Sequence, residues 1–147
     1  MMDRVIRSAM VGKILGVLTA ILLVSGSLVA AGDDDLPPGY AGKTLPPGLQ
    51  TDSTMLAAGK AIYEGKLKPD VNCVMCHGTD GRPTRLEKGA PDFSDPTEAK
   101  NHSDEYRFLR LSEKTPGSKM PGYKDKLSED QRWQVIAYLR TLTQSGR

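Results

Sequence analysis

Residues 72–80 read NCVMCHGTD and hold both cysteines of the 147-residue chain, Cys73 and Cys76, followed directly by His77, one of its two histidines. Two cysteines in an exported protein are ordinarily paired. A disulfide across a two-residue gap closes a tiny, strained loop that staples nothing, so this pair needs another purpose. On a turn of helix, residues three apart share a face, which turns both thiols to one side and projects the next residue, the imidazole, beside them.

That spacing is the C-x-x-C-H form of covalent c-type haem attachment, in which the two thiols reach the two vinyl groups of one porphyrin and the histidine becomes a ligand to iron. Neutral imidazole is a good fifth ligand, fixed in its tautomer by a hydrogen bond from its outer nitrogen to a backbone carbonyl. A redox dithiol of the thioredoxin kind needs a βαβ context that the chain lacks, and a zinc site needs four ligands where only Cys73, Cys76, His77 and the distant His102 exist.

A sixth ligand is sought downstream. SKMPGY, residues 118–123, places Met120 among Pro116, Gly117, Pro121 and Gly122, in a loop rather than at a packed helix position. A thioether on the far side of the haem favours ferrous iron and raises the potential, as an electron carrier requires. Met55 falls on a helix and Met75 within the attachment turn. His102 is the competing ligand, although it reads as a surface residue near the start of a helix.

Outward from this centre, residues 1–13 carry Arg4, Arg7 and Lys13 against Asp3, and 14–31 form an uncharged, mostly apolar run ending in small residues. Residues 1–31 are therefore expected to be a secretory signal peptide or a retained N-terminal membrane anchor. They contain no cysteine for lipid attachment. The remaining chain balances 17 basic against 17 acidic residues, which gives nucleic-acid binding no support. Residues 32–51, GDDDLPPGYAGKTLPPGLQT, repeat the motif LPPG and read as an extended, solvated linker.

Residues 52–147 form the expected domain. Thr51-Asp52-Ser53-Thr54 offers helix caps before MLAAGKAIYEG, whose Leu56, Ala57, Gly59, Ala61, Ile62 and Tyr63 fall on an apolar stripe. A second helix is expected from Ser103, with Tyr106, Leu109 and Phe108 inward and Pro116-Gly117 at its end. The last begins at Ser128, with Gln131 three residues on, and runs through WQVIAYLRTL with Trp133, Ile136, Ala137 and Arg140 along one face, broadened by Val135, Leu139 and Leu142. No stretch alternates with period two, so the fold class is all-α. Leu, Ile, Val and Phe number 15 among the 96 residues, below the roughly 20% of chains that build their own core. A large apolar body, the haem, is expected to fill the middle.

With a first helix containing Gly59 and Tyr63, then CVMCHGTDG, GAPDF, KMPGY and LSEDQRWQVIAYLRTL, in that order, residues 53–145 resemble a class I cytochrome c of the bacterial type. The resemblance implies a small fold of helices and loops wrapped around one haem c, covalent through Cys73 and Cys76, with His77 and Met120 as axial ligands. It implies that Gly59 lets the first helix cross the last closely, with Tyr63 near Val135, Ile136 and Tyr138, and that the Pro91 carbonyl accepts the outer N–H of His77. Two departures stand out: Lys66–Asn72 lengthens the approach to the haem motif, and Gly122-Tyr123 follows KMP.

The implied function is one-electron transfer in a periplasmic respiratory or redox chain, with no catalytic residues and redox proteins as partners. The alternative is a haem-c subunit of a larger oxidoreductase complex, held to the inner membrane through residues 14–31. An open-site haem enzyme or gas sensor fits less well, because such four-helix proteins carry the motif near the C-terminus and lack a distal methionine. Lys114, Lys119, Lys124 and Lys126 lie around the Met120 loop and have two readings, cations that steer an exposed haem edge toward an acidic partner or a solvated loop in which Asp125 and Glu113 are interspersed.

Overall fold

The computed structural model describes residues 36–145, so the expected signal or anchor at 1–31 lies outside the described residues. These contain five helices, α1 Ser53–Tyr63, α2 Val74–His77, α3 Pro96–Asn101, α4 Asp104–Ser112 and α5 Glu129–Ser145, and no strand. None of them is long and apolar enough to cross a membrane.

Helix α1 starts where Asp52 accepts hydrogen bonds from the amides of Thr54 and Met55, satisfying donors that a first turn leaves unpaired. Its inward face is Gly59, Ile62 and Tyr63, whereas Ala57 is exposed. Helix α5 opens with a reciprocal box: the Gln131 amide donates to the Ser128 hydroxyl at 3.2 Å and the Ser128 amide to the Gln131 side chain at 3.1 Å. The two helices touch backbone to backbone, because a Cβ on Gly59 would stand 2.0 Å from the Gln134 carbonyl oxygen. Tyr63 meets Tyr138 edge-on at 5.3 Å. Both contacts follow the close crossing expected from the sequence.

Helix α4 begins at the expected cap, Ser103, but its inward face is Phe108, Leu111 and Ser112; Tyr106 and Leu109 are only half-buried. It ends at Ser112, with Glu113 already extended, before Pro116 is reached. Phe108 stacks on Trp133 of α5 at 4.3 Å and carries the Arg132 guanidinium 4.5 Å from its ring. Helix α3 was not anticipated, although Asp95 as cap with Pro96 at the first helical position is a start signal. The longer approach to the cysteine motif also has a structural use, for it carries the fully buried Val71 into the core.

Residues 36–51 are mostly exposed, as expected, but they turn and dock on the domain where an extended linker was expected. Each LPPG makes a tight turn with its glycine at positive φ, +96° at Gly39 and +82° at Gly48, closed by amide donation from Tyr40 to Pro37 and from Leu49 to Pro46. The turns deliver Tyr40, Leu45 and Leu49 onto the hydrophobic core. The Tyr40 hydroxyl donates to Glu113 at 2.6 Å and Lys43 pairs with Glu129 at 2.6 Å. The amides of Gly42 and Leu45 donate to Glu105 and Asp104 in the first turn of α4. Proline-rich composition sets the local turns, and carboxylates more than 50 residues away set the docking.

Candidate cofactor site

The cysteine motif is held from both ends by Tyr63. The Cys73 amide donates to the Tyr63 carbonyl at 3.0 Å, while the Tyr63 hydroxyl donates to the Gly78 carbonyl at 2.7 Å and lies 3.2 Å from that of His77. Burial pushes the Tyr63 phenol well above its ordinary value, so it stays a donor. Between these ties Cys73–His77 forms the single turn α2, with the His77 amide donating to the Cys73 carbonyl at 2.9 Å. Gly78 ends the turn at φ +65°, where a Cβ would meet the Arg82 carbonyl oxygen at 2.6 Å. The cysteines are not joined to each other. Burial, reinforced by the neighbouring Cys76, pushes the Cys73 thiol up to about 12.

His77 is 7% exposed and stacks on Phe93 with ring centroids 4.6 Å apart. Burial pushes its imidazole below the ordinary value, opposed in part by the Pro91 carbonyl. Its Nδ1 is buried and closes no hydrogen bond of ordinary geometry. The carbonyl expected to receive this nitrogen therefore faces the ring without a formed bond.

Cys73, Cys76, His77, Pro91 and Met120 all line one cavity of about 420 Å³. Met120 is half-buried there, its amide donating to the Ser118 hydroxyl at 3.1 Å. His102 lines the same cavity instead of lying on the surface. It pairs with Glu98 at 3.1 Å and stacks on Tyr106 at 4.2 Å. Among the described residues no three or more His, Cys, Asp or Glu side chains converge as a metal cluster. A second cavity of the same volume, at Lys60, Arg82 and Tyr138, is lined by none of Cys73, Cys76, His77, Pro91 and Met120.

Two features were not read from the sequence. Arg107 and Arg110 of α4 line the cavity, yet neither forms an ion pair among the described residues. Arg107 donates only to the carbonyls of Glu98 and His102, and burial pushes its guanidinium below the ordinary value. Lys119 and Glu87 meet at 2.8 Å beside Met120. The lysine, through its contact with Glu87, holds the Glu87 carboxyl below the usual carboxylate range. The other lysines are also occupied: Lys124 pairs with Glu113 at 2.8 Å, Lys126 with Asp70 at 3.2 Å, and Lys114 donates to the Ser118 carbonyl at 3.0 Å.

The cavity fits a haem on its own chemistry. Two thiols on one helical face, a buried imidazole with an orphaned nitrogen, a thioether and two guanidiniums that form no ion pair line one largely apolar slot, to which Glu87, Glu98 and Lys119 also contribute.

The profile of the Cytochrome c family matches residues 56–143, and the chain belongs to that family. Its fold is the all-α cytochrome c fold of class I, and membership brings a covalent haem c and a role in electron transfer. No curated protein matches the chain. Among solved structures it is similar to the c-type cytochrome KustC0563, at 31% identity and a TM-score of 0.49 over 57% of this chain and 95% of that one. It is similar to the Kuenenia stuttgartiensis reducing HAO-like protein complex Kustc0457/Kustc0458, at 26% and 0.45 over 61% of this chain and 44% of that one. Cytochrome CL from Methylophaga aminisulfidivorans matches at 22% and 0.48, over 63% of this chain and 56% of that one.

Proposed function

We propose that the chain is a soluble or membrane-tethered one-electron carrier of a periplasmic redox chain, with one haem c attached through Cys73 and Cys76 and ligated by His77 and Met120. The observation that carries the proposal is the convergence of these four side chains on one cavity. A haem bound there supplies an iron that cycles between ferric and ferrous. The chain's own residues do the rest. Tyr63 fixes the carbonyls at the end of the attachment turn. Phe93 and the Pro91 carbonyl orient the imidazole. Arg107 and Arg110, which line the cavity and form no ion pair among the described residues, would hold the carboxylates of the porphyrin.

The partner proposed is an acidic redox protein. With Lys119, Lys124 and Lys126 already paired, the free cations near the attachment turn are Arg85 and Lys88, which form no ion pair among the described residues. They flank Leu86, 65% exposed, and Met75 is 54% exposed. Thr84 ties the two together, its hydroxyl donating to the Met75 carbonyl at 2.7 Å and accepting from the Leu86 amide at 3.3 Å. An apolar centre with unpaired cations beside a thiol anchor suits transient docking of an acidic face.

The test is a reduced-minus-oxidised visible and near-infrared spectrum of the matured protein and of Met120→Ala. A sharp reduced α-band, with a ferric charge-transfer feature at the red end that the substitution abolishes, establishes His/Met ligation. A high-spin spectrum, or one that the substitution leaves unchanged, transfers the sixth position to an open site or to His102.

A further inference from the structure

The loop that carries Met120 is held unequally on its two sides. On the far side, Gly122 is pressed against the end of α4, where a Cβ would stand 2.5 Å from the Ser112 carbonyl oxygen and 2.6 Å from the Lys114 amide nitrogen. The next two amides donate back to α4, from Tyr123 to Leu111 at 2.9 Å and from Lys124 to Ser112 at 3.2 Å. On the near side, residues 115–118 are tied within the loop and to its own stem. The Ser118 amide donates to Thr115, the Lys114 amine donates to Ser118, and the Arg110 guanidinium donates to the Thr115 hydroxyl. The contact that crosses the cavity from this side is the ion pair between Lys119 Nζ and Glu87 Oε2.

Glu87 is anchored to the haem-attachment turn. The Thr84 amide donates to the Cys76 carbonyl at 2.9 Å, the Thr84 hydroxyl accepts from the Leu86 amide, and the Ala90 amide closes a turn on the Glu87 carbonyl at 3.1 Å. Its Oε2 is buried and faces Lys119 as an ion pair without an aligned hydrogen bond. Both residues line the cavity. The carboxylate thus reaches from the cysteine side of the cavity to the residue next to Met120.

We infer that Glu87 is a positioning residue for Met120, which through Lys119 latches the thioether loop to the attachment segment and limits how readily a small exogenous ligand displaces the thioether. The inference rests on Met120 as the sixth ligand. An ion pair of which one partner is largely exposed contributes modestly and is screened by salt. The latch is therefore a fine control on loop opening, sensitive to ionic strength, and Gly122 and Tyr123 keep the loop in place when it opens.

The experiment titrates the ferric, haem-loaded protein with imidazole at low and high KCl, for the wild type, Glu87→Gln and the reversed pair Glu87→Lys/Lys119→Glu. Glu87→Gln should raise the imidazole affinity about two- to five-fold at low salt and lose the wild type's salt dependence. The reversed pair should restore both, which a merely structural effect of the substitution would not do. An unchanged affinity and salt response in Glu87→Gln, with the ferric methionine band intact in the wild type, overturns the latch. A wild type without that band overturns the ligand assignment and the latch with it.

Discussion

Gly59 of α1 lies against the backbone of Gln134 in α5, with room for a hydrogen and none for a methyl group. The obstructing atoms are backbone, so neither rotamer change nor side-chain motion relieves the overlap. Gly59→Ala should gain about 1 kcal/mol of helix propensity and lose more through forced separation of the helices, a net loss of about 2–3 kcal/mol. Chemical denaturation of the haem-loaded protein measures it, and a substitution at the exposed Ala57 should change stability little.

Scarcity of aliphatic residues gives a second expectation. The core cluster contains five aromatic and eight branched aliphatic side chains, and four of them, Leu111, Tyr123, Ile136 and Leu139, line the cavity and lack packing partners there without haem. Cys73→Ala/Cys76→Ala protein produced without haem maturation should keep helical far-UV circular dichroism and lose its near-UV signal. A native near-UV spectrum would show that the polypeptide packs unaided.

Arg107 separates the two states by sign. Glu98 and Asp104 act on Arg107 only at a distance and burial outweighs them, so its guanidinium burdens the haem-free chain, whereas porphyrin carboxylates would give it a direct partner. Arg107→Met should stabilise the haem-free protein or leave it unchanged, and destabilise the haem-loaded one by about 1–3 kcal/mol. Denaturation midpoints of both forms read the two signs; equal shifts would detach Arg107 from the haem.

The docking of residues 36–51 should weaken in acid. Lys124 and the Tyr40 hydroxyl hold the Glu113 carboxyl below its ordinary value, and Lys43 does the same for Glu129. Groups with depressed folded-state values stabilise fully above the ordinary carboxylate range and lose that contribution as pH falls through the depressed values. Hydrogen exchange at the Gly42 and Leu45 amides, corrected for the intrinsic pH effect, should lose protection several-fold from neutral pH to below the carboxylate range, while α5 core amides keep theirs.

Helices α1 and α5 were legible because caps and apolar spacing are local signals, and the cysteine motif because its chemistry is written in five residues. The start of α4 at Ser103 was legible too, as were Phe108, received by Trp133 of α5, and Tyr106, which lines the cavity, but Leu111 is buried where Leu109 was expected. The docking of residues 36–51 was missed because their prolines are indeed exposed, and the acids that receive Tyr40 and Lys43 are remote in sequence. The pairing of Lys119 with Glu87 escaped for the same reason: a lysine's partner is a fact of folding, whereas its charge is a fact of composition.

The twin turns at Pro37–Tyr40 and Pro46–Leu49 change what kind of leash residues 32–51 provide. As a flexible coil, 20 residues would sweep an r.m.s. span of about 25 Å. Fastening Tyr40 to Glu113 and Lys43 to Glu129 shortens that sweep and gives it a fixed origin on the domain. The free span of any tether is thereby counted from Tyr40 and not from Asp52, which raises the effective concentration of tethered partners without any new contact.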